Sequence, residues 1–218
     1  TDVEDLRCTA LSACFDLAMA YRSPDWAAVP ESLTDSGSES IFVTLFEHLS
    51  SPHPSVRAVA AEGFAKLIFS ARLRCGSPNV EKQALVALTL LYFSPHSDDD
   101  TSLRQCLAIF FPTFIRRSPS NIHLIERVFL SSLRHVIHAP KTSCLSRVSP
   151  TQVGQYLLSV MASADGESAK PVQSSACQER VALALCSEIA CDADEASVKH
   201  LIRILQSCDL SEAGPSVL

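Results

Sequence analysis

Few side chains in this sequence are spaced for chemistry. His135 and His138 stand three apart on one helical face, but no third ligand accompanies them, so they read as a surface pair. Cys186 and Cys191, five apart and followed by His200, lie in A-L-A-L-C-S-E-I-A-C, where apolar surroundings would raise a thiol's pKa and leave it inert. Asp98, Asp99 and Asp100 lack the glycine and terminal glutamate of a calcium loop and suit the first turn of a helix instead. The glycine-rich phosphate loop, the dinucleotide fingerprint and the nucleophile elbow are all missing from the sequence. It therefore predicts no catalytic residue, no bound cofactor and no metal centre.

The cationic side chains are more suggestive. The chain carries 24 acidic and 18 basic residues, a net charge of −6, but residues 51–147 alone hold a surplus of six positive charges between two acidic flanks. Four arginines of that region, Arg72, Arg74, Arg116 and Arg117, fall between apolar stripes, with Lys82 one turn into the following helix. If successive inter-helix segments stack along one edge, these five would make a short strip that reads a phosphate backbone without base specificity. The opposing reading is that these charges are the solvated faces and ends of helices.

The elements that would position them are all helical. Asp2 to Arg22 has an apolar stripe of Val3, Leu6, Ala10, Cys14, Leu17 and Tyr21, widened by Leu11, Phe15 and Ala18. Residues 23–38, with Ser23-Pro24 and Val29-Pro30, form a flexible polar loop. Glu39 to Leu49 is a second helix, and Pro52 and Pro54 turn the chain into a third. There Gly63, mid-helix, costs about 1 kcal/mol against alanine and implies close helix contact. Arg57, just after that turn, suits a structural bond to carbonyl or acidic groups of the next repeat.

A helix follows the basic loop at 72–78, and Ser94-Pro95 ends it. Asp100 or Thr101 then caps a helix whose stripe is Leu103, Leu107, Phe110, Phe111 and Phe114, with Cys106 beside it as a small buried filler and Pro112 predicting a bend without a break. Ile122, Ile125, Val128, Phe129, Leu133, Val136 and Ile137 give the most regular stripe. A polar loop over 141–150, a short helix through Val153 and Met161, a flexible connection over 162–175, and a last pair at 176–191 and 195–208 complete the chain. First helices begin near 40, 79 and 121, a period of about 40. Each pair is too small to bury its own apolar face, so residues 1–218 are expected to form one all-α solenoid of HEAT-like helical pairs, an ARM/HEAT superhelix. Nine cysteines without a paired C-x-x-C read as free thiols, mostly buried. The longest apolar run, Ala84 to Phe93, is about half the ~20 residues that span a bilayer, so no membrane partner is expected.

Two stretches carry a family resemblance. The run from Ser94 to Phe114, S-P-H-S-D-D-D-T-S-L-R-Q-C-L-A-I-F-F-P-T-F, and the upstream A-A-E-G-F-A-K-L-I-F-S at 60–70 resemble, in the same order, the C-terminal region of the CAP-G family, condensin subunit 3. The likeness covers roughly Ser38 to Leu210. It implies a non-catalytic HEAT-repeat subunit of condensin, the C-terminal part of a longer chain. Its implied partners are the kleisin subunit, the coiled-coil ATPase subunits and duplex DNA, and its implied place is the nucleus and chromosomes, with a cytoplasmic phase of the cell cycle. The alternative is a generic HEAT or armadillo adaptor, such as a transport receptor or phosphatase scaffold.

Overall fold

The computed structural model describes residues 2–21, 39–73, 78–163, 172–191 and 194–209, and all its regular elements there are helical. They are α1 (Asp2–Ala20), α2 (Glu39–Glu47), α3 (Pro54–Phe69), α4 (Pro78–Phe93), α5 (Thr101–Arg117), α6 (Pro119–Ile137), α7 (Pro150–Ala162), α8 (Val172–Cys191) and α9 (Glu195–Leu205). Short 3-10 turns at His48–Ser50, Pro95–Ser97 and Cys144–Arg147 link some of them. The all-α expectation holds. The loop expected over 23–38 lies outside the described residues, and the connection expected over 162–175 is shorter, because Val172–Ser175 already belong to α8. No described helix is long and apolar enough to cross a membrane.

Two compact units divide the chain: Thr1–Tyr92 with His96–Ala108, and Phe93–Pro95 with Ile109–Leu218. In the first, α1 packs on α3, and the pairs Glu4–Ser55, Phe15–Phe64 and Met19–Ser70 show that the two run parallel. The contact turns on Gly63. A Cβ there would overlap the Phe15 ring, which meets Phe64 edge-on with centroids 5.2 Å apart, while Phe64 stacks on Phe46 at 4.4 Å. The helix tolerates glycine at that point because only a missing side chain lets the ring seat.

That packing corrects the reading of α1. Its buried face is Leu11, Phe15 and Ala18, whereas the expected stripe is open, with Val3 65%, Leu6 69%, Leu17 51% and Tyr21 57% exposed. The two faces lie roughly 100° apart round the helix, and both are apolar, so periodicity alone does not say which one meets α3.

Arg57 is fixed within the same unit. It is 7% exposed, and its Nη1 donates to the carbonyls of Ser51 (2.8 Å) and Pro52 (3.2 Å) while Nη2 donates to His96 O at 2.9 Å. One guanidinium thus ties the turn before α3 to the turn before α5. Asp100 accepts from Leu103 N at 3.0 Å and caps α5, and Asp98 pairs with Arg104 at 3.0 Å. The acidic run is a helix start. Leu103 and Leu107 are buried in this unit. Cys106, expected to be buried beside them, is only half-buried.

In the second unit, α5 continues unbroken through Pro112, and Phe110, Phe111 and Phe114 are buried, with Phe110 stacked on Phe114 at 5.4 Å. Asn121 Nδ2 donates to Phe114 O at 2.6 Å, satisfying a carbonyl near the end of α5 that the helix leaves over. Helix α6 buries Ile122, Ile125, Val128, Phe129, Leu133 and Val136, as its periodicity predicts, and leaves Ile137, the last residue of the expected stripe, half-buried. It packs on α7 and α8, α7 packs on α8 and α9, and α8 packs on α9. Every second helix is parallel: Phe111–Tyr156 and Arg116–Ser163 join α5 to α7, Glu126–Arg180 and Arg134–Glu188 join α6 to α8, and Thr151–His200 and Gln155–Ser207 join α7 to α9. Gly154 marks a second close approach, since a Cβ there would come within 2.7 Å of the Ile204 side chain.

This is a two-helix repeat. Helices α2, α4 and α6 begin at 39, 78 and 119, close to the expected period, but α8 begins only at 172. The segment between α6 and α7, with its turn at Cys144–Arg147, lengthens the later repeat.

Candidate functional site

Of the five cationic residues singled out by the sequence, Arg72, Arg116 and Arg117 lie at helix ends and Lys82 lies in the second turn of its helix. Helix α3 closes with Ala71 at φ 57, Ala71 N bonded to Ile68 O at 2.9 Å and Arg72 N bonded to Leu67 O at 2.9 Å. This is the paired-bond C-terminal cap that usually takes glycine at the left-handed position. It sets where Arg72, half-buried, leaves the helix. Arg74 lies outside the described residues, and Lys82 is half-buried in α4. Arg116 and Arg117 are exposed in the last turn of α5, where cations complement the helix dipole. Arg116 Nε donates to Ser163 O at 3.2 Å. Arg72 and Lys82 belong to the first unit, Arg116 and Arg117 to the second.

The other candidate groups are placed as follows. His135 and His138 are both exposed; His135 Nδ1 sits 2.7 Å from Ser131 O, and His138 closes α6. Cys186 and Cys191 are exposed, against the expectation of inert buried thiols, because α8 turns Cys177, Val181 and Leu185 inward instead. His200 Nδ1 is 3.0 Å from Thr151 Oγ1. Of the eight described cysteines, only Cys177 is buried.

Among the described residues of the second unit, a concentrated polar group lies where the sequence did not single one out. On α6, His123 Nδ1 lies 3.2 Å from Glu126 Oε2, one turn on. On α8, Cys177 Sγ is 3.6 Å from the same His123 nitrogen. Arg180 closes the cluster: Nε and Nη2 donate to Glu126 at 2.7 and 2.8 Å, and Nη2 stands 3.2 Å from His123 Nδ1 and 3.0 Å from Cys177 Sγ. Two turns further along the same two helices, Arg134 makes a bidentate pair with Glu188 at 2.6 and 2.5 Å.

The electrostatics follow from these contacts. Burial works to raise the Glu126 carboxyl, but the bonds from Arg180 and His123 more than reverse it and hold it below its ordinary value. The Arg134 guanidinium does the same for Glu188. Burial, reinforced by the Glu126 charge, pushes the Cys177 thiol up to about 11, so it is protonated and unreactive at neutral pH. Sequence reasoning missed the cluster because its halves are 54 residues apart. The available signal was His-x-x-Glu on one helix and Cys-x-x-Arg on a later one, which only the register of the repeat brings together.

The sequence comparisons agree on one family. The model describing the C-terminal domain of nuclear condensing complex subunits matches residues 1–210. Condensin complex subunit 3 of Homo sapiens is 29% identical over 177 residues, covering 79% of this chain and 17% of the human protein. Condensin complex subunit 3 of Xenopus laevis is 29% identical over 174 residues, covering 78% of this chain and 16% of the frog protein. The chain spans about a sixth of the length of these curated relatives. With its helical-repeat fold and a match over nearly its whole length, the chain belongs to the family of nuclear condensing complex subunits, within their C-terminal domain.

Proposed function

We propose that this chain serves as a non-catalytic, HEAT-type scaffold segment of a condensin subunit, acting in the nucleus and on chromosomes. In this reading it supports a kleisin and the coiled-coil ATPase subunits, and assists the complex in engaging duplex DNA during chromosome condensation. The family match over residues 1–210 is the observation that carries the reading. The character of the described side chains fits a scaffold: the buried Arg57 donates through both terminal nitrogens to turn carbonyls, and the buried thiol Cys177 is held protonated.

The DNA-facing part of the proposal rests on Arg72, Arg74, Lys82, Arg116 and Arg117. A helix end that presents an arginine offers a phosphate a charged, geometrically forked donor and carries no base information. Neutralising about four phosphates gives a log–log salt slope of about −3.6 for duplex DNA. Binding of this chain alone is therefore weak and strongly salt-sensitive. Fluorescence anisotropy with a labelled duplex at low salt tests this, comparing the parent with a folded variant carrying Arg72→Glu, Arg74→Glu, Arg116→Glu and Arg117→Glu. Loss of binding in the variant is expected. Superimposable isotherms would make the arginines solvated helix ends and remove DNA from the proposal.

A further inference from the structure

The cluster of His123, Glu126, Cys177 and Arg180 does something that an ordinary ion pair does not. Three different donor types, an imidazole nitrogen, a carboxylate oxygen and a sulfur, converge with their ligand atoms all within 4.8 Å of one another. A tetrahedral zinc ion with bonds of about 2.3 Å to sulfur and about 2.0–2.1 Å to nitrogen and oxygen has an S···N edge of about 3.6 Å and an N···O edge of about 3.3 Å. The cluster already shows 3.6 Å between Cys177 Sγ and His123 Nδ1 and 3.2 Å between His123 Nδ1 and Glu126 Oε2. The donors need not move to make two edges of that tetrahedron.

A cation already sits where their lone pairs meet. Arg180 Nη2 lies within 3.2 Å of all three donor atoms. We propose that this is an exchangeable cation site, in which a zinc-class divalent ion replaces the Arg180 guanidinium and ties α6 to α8. The exchange balances in charge. Before it, Glu126 and Arg180 sum to zero; after it, the ion is offset by the Glu126 carboxylate and the Cys177 thiolate, with His123 neutral and the thiol proton released to water. The Arg180 side chain is 45% exposed and can swing out without opening the core, and water supplies the fourth ligand. The sulfur is the part that selects the metal class, since a thiolate beside an imidazole favours zinc over magnesium or calcium. Nothing in this site depends on DNA or on the condensin partners.

Cobalt(II), titrated into the full chain, is the probe, because a cobalt–thiolate bond gives a charge-transfer band that an oxygen-only site does not. The parent is expected to develop the band with one equivalent bound. Cys177→Ser and His123→Ala are both expected to lose it; His123 is exposed, so that variant keeps its fold, checked by circular dichroism. Arg180→Ala removes the competing cation and is expected to bind roughly tenfold more tightly. Arg134→Ala, which breaks the neighbouring pair on the same helices, leaves the affinity where it was. Absence of a band in both the parent and Arg180→Ala overturns the proposal. So does a band that survives Cys177→Ser, since the metal then sits on other thiols, and so does equal tightening by Arg134→Ala.

Discussion

Substituting Gly63 by alanine sets two effects against each other whose sizes can be worked from the structure. Helix propensity alone favours alanine mid-helix by about 1 kcal/mol. Packing opposes it. The added Cβ would overlap three atoms of the Phe15 ring, and that ring is 3% exposed and braced against Phe64, itself fully buried. The ring cannot retreat without moving Phe64 and the Phe46 ring stacked on it. Ejecting it would lose about 2–3 kcal/mol of burial and about 1 kcal/mol of edge-on aromatic contact, while partial accommodation by overpacking costs about 1–3 kcal/mol. The net expectation for Gly63→Ala is a loss of about 2 kcal/mol, a fall in Tm of about 4–8 °C for a chain of this size. Urea unfolding followed by circular dichroism measures it. Pairing the substitution with Phe15→Leu should recover at least about 1 kcal/mol as a coupling energy, because the shorter side chain leaves room for the methyl group. A Gly63→Ala variant as stable as the parent would contradict the expected loss, and one more stable by the full propensity difference of about 1 kcal/mol would mean that propensity alone governs the position and that α1 does not seat on α3 there.

Three further outcomes are expected. Ala71→Gly relieves a left-handed conformation at the end of α3 and should raise stability by about 0.5–1 kcal/mol in the same urea assay; a destabilised variant would refute the cap. Arg57→Lys keeps the charge, but a single ammonium cannot serve the 51–52 carbonyls and His96 O together, so a loss of about 2 kcal/mol is expected, and unchanged melting would show that the bridge contributes nothing. The carboxyls of Glu126 and Glu188 sit below their ordinary 4.5 when folded, so their ion pairs contribute fully above that value and are lost as pH falls through the lower folded values. Thermal melts of a Glu126→Gln, Glu188→Gln double variant should show less acid sensitivity than the parent; equal slopes below pH 4.5 would contradict the assignment.

What the sequence made legible was whatever one helix decides by itself. The α6 stripe was readable because that helix has a single apolar side, and the cap at Asp100 because the acidic run, the proline and the first apolar residue stand next to one another. Gly63 announced a close contact, though not that Phe15 makes it. The errors came where two helices decide together. Helix α1 offers two apolar faces, and the choice belongs to α3. Helix α8 has cysteines on both sides, and the packing turned Cys177 in and Cys186 and Cys191 out. The repeat period was readable over the first three pairs, but a longer connection moved α8, and with it the partner helix of His123 and Glu126. Register between parallel helices depends on loop length, so a constellation built across them stays hidden until that length is known.

The placement of the arginines bears on how their proposed role must be tested. Arg116 and Arg117 end α5, where a positive charge is stabilised by the helix dipole by about 0.3–1 kcal/mol, and Arg72 follows a cap that closes α3. Their presence at helix ends therefore has a structural reason that is independent of DNA. Reversing the charge at 116 and 117 places negative groups against the negative end of α5, so a fall in binding could come from a loosened helix as well as from lost phosphate contacts. Glutamine at all four positions separates the two. It removes the cations and leaves the dipole unopposed by any new like charge, so the helix is perturbed by no more than the lost dipole term. If these arginines contact phosphates, the glutamine variant loses about 0.9 of salt slope per contact, and the slope falls from about −3.6 towards zero, with no more than the small melting shift of the lost dipole term. If they only cap helices, the same small melting shift appears and the slope stays at its parent value. The pair of measurements assigns the charge to one role or the other, because slope counts released counterions and melting does not.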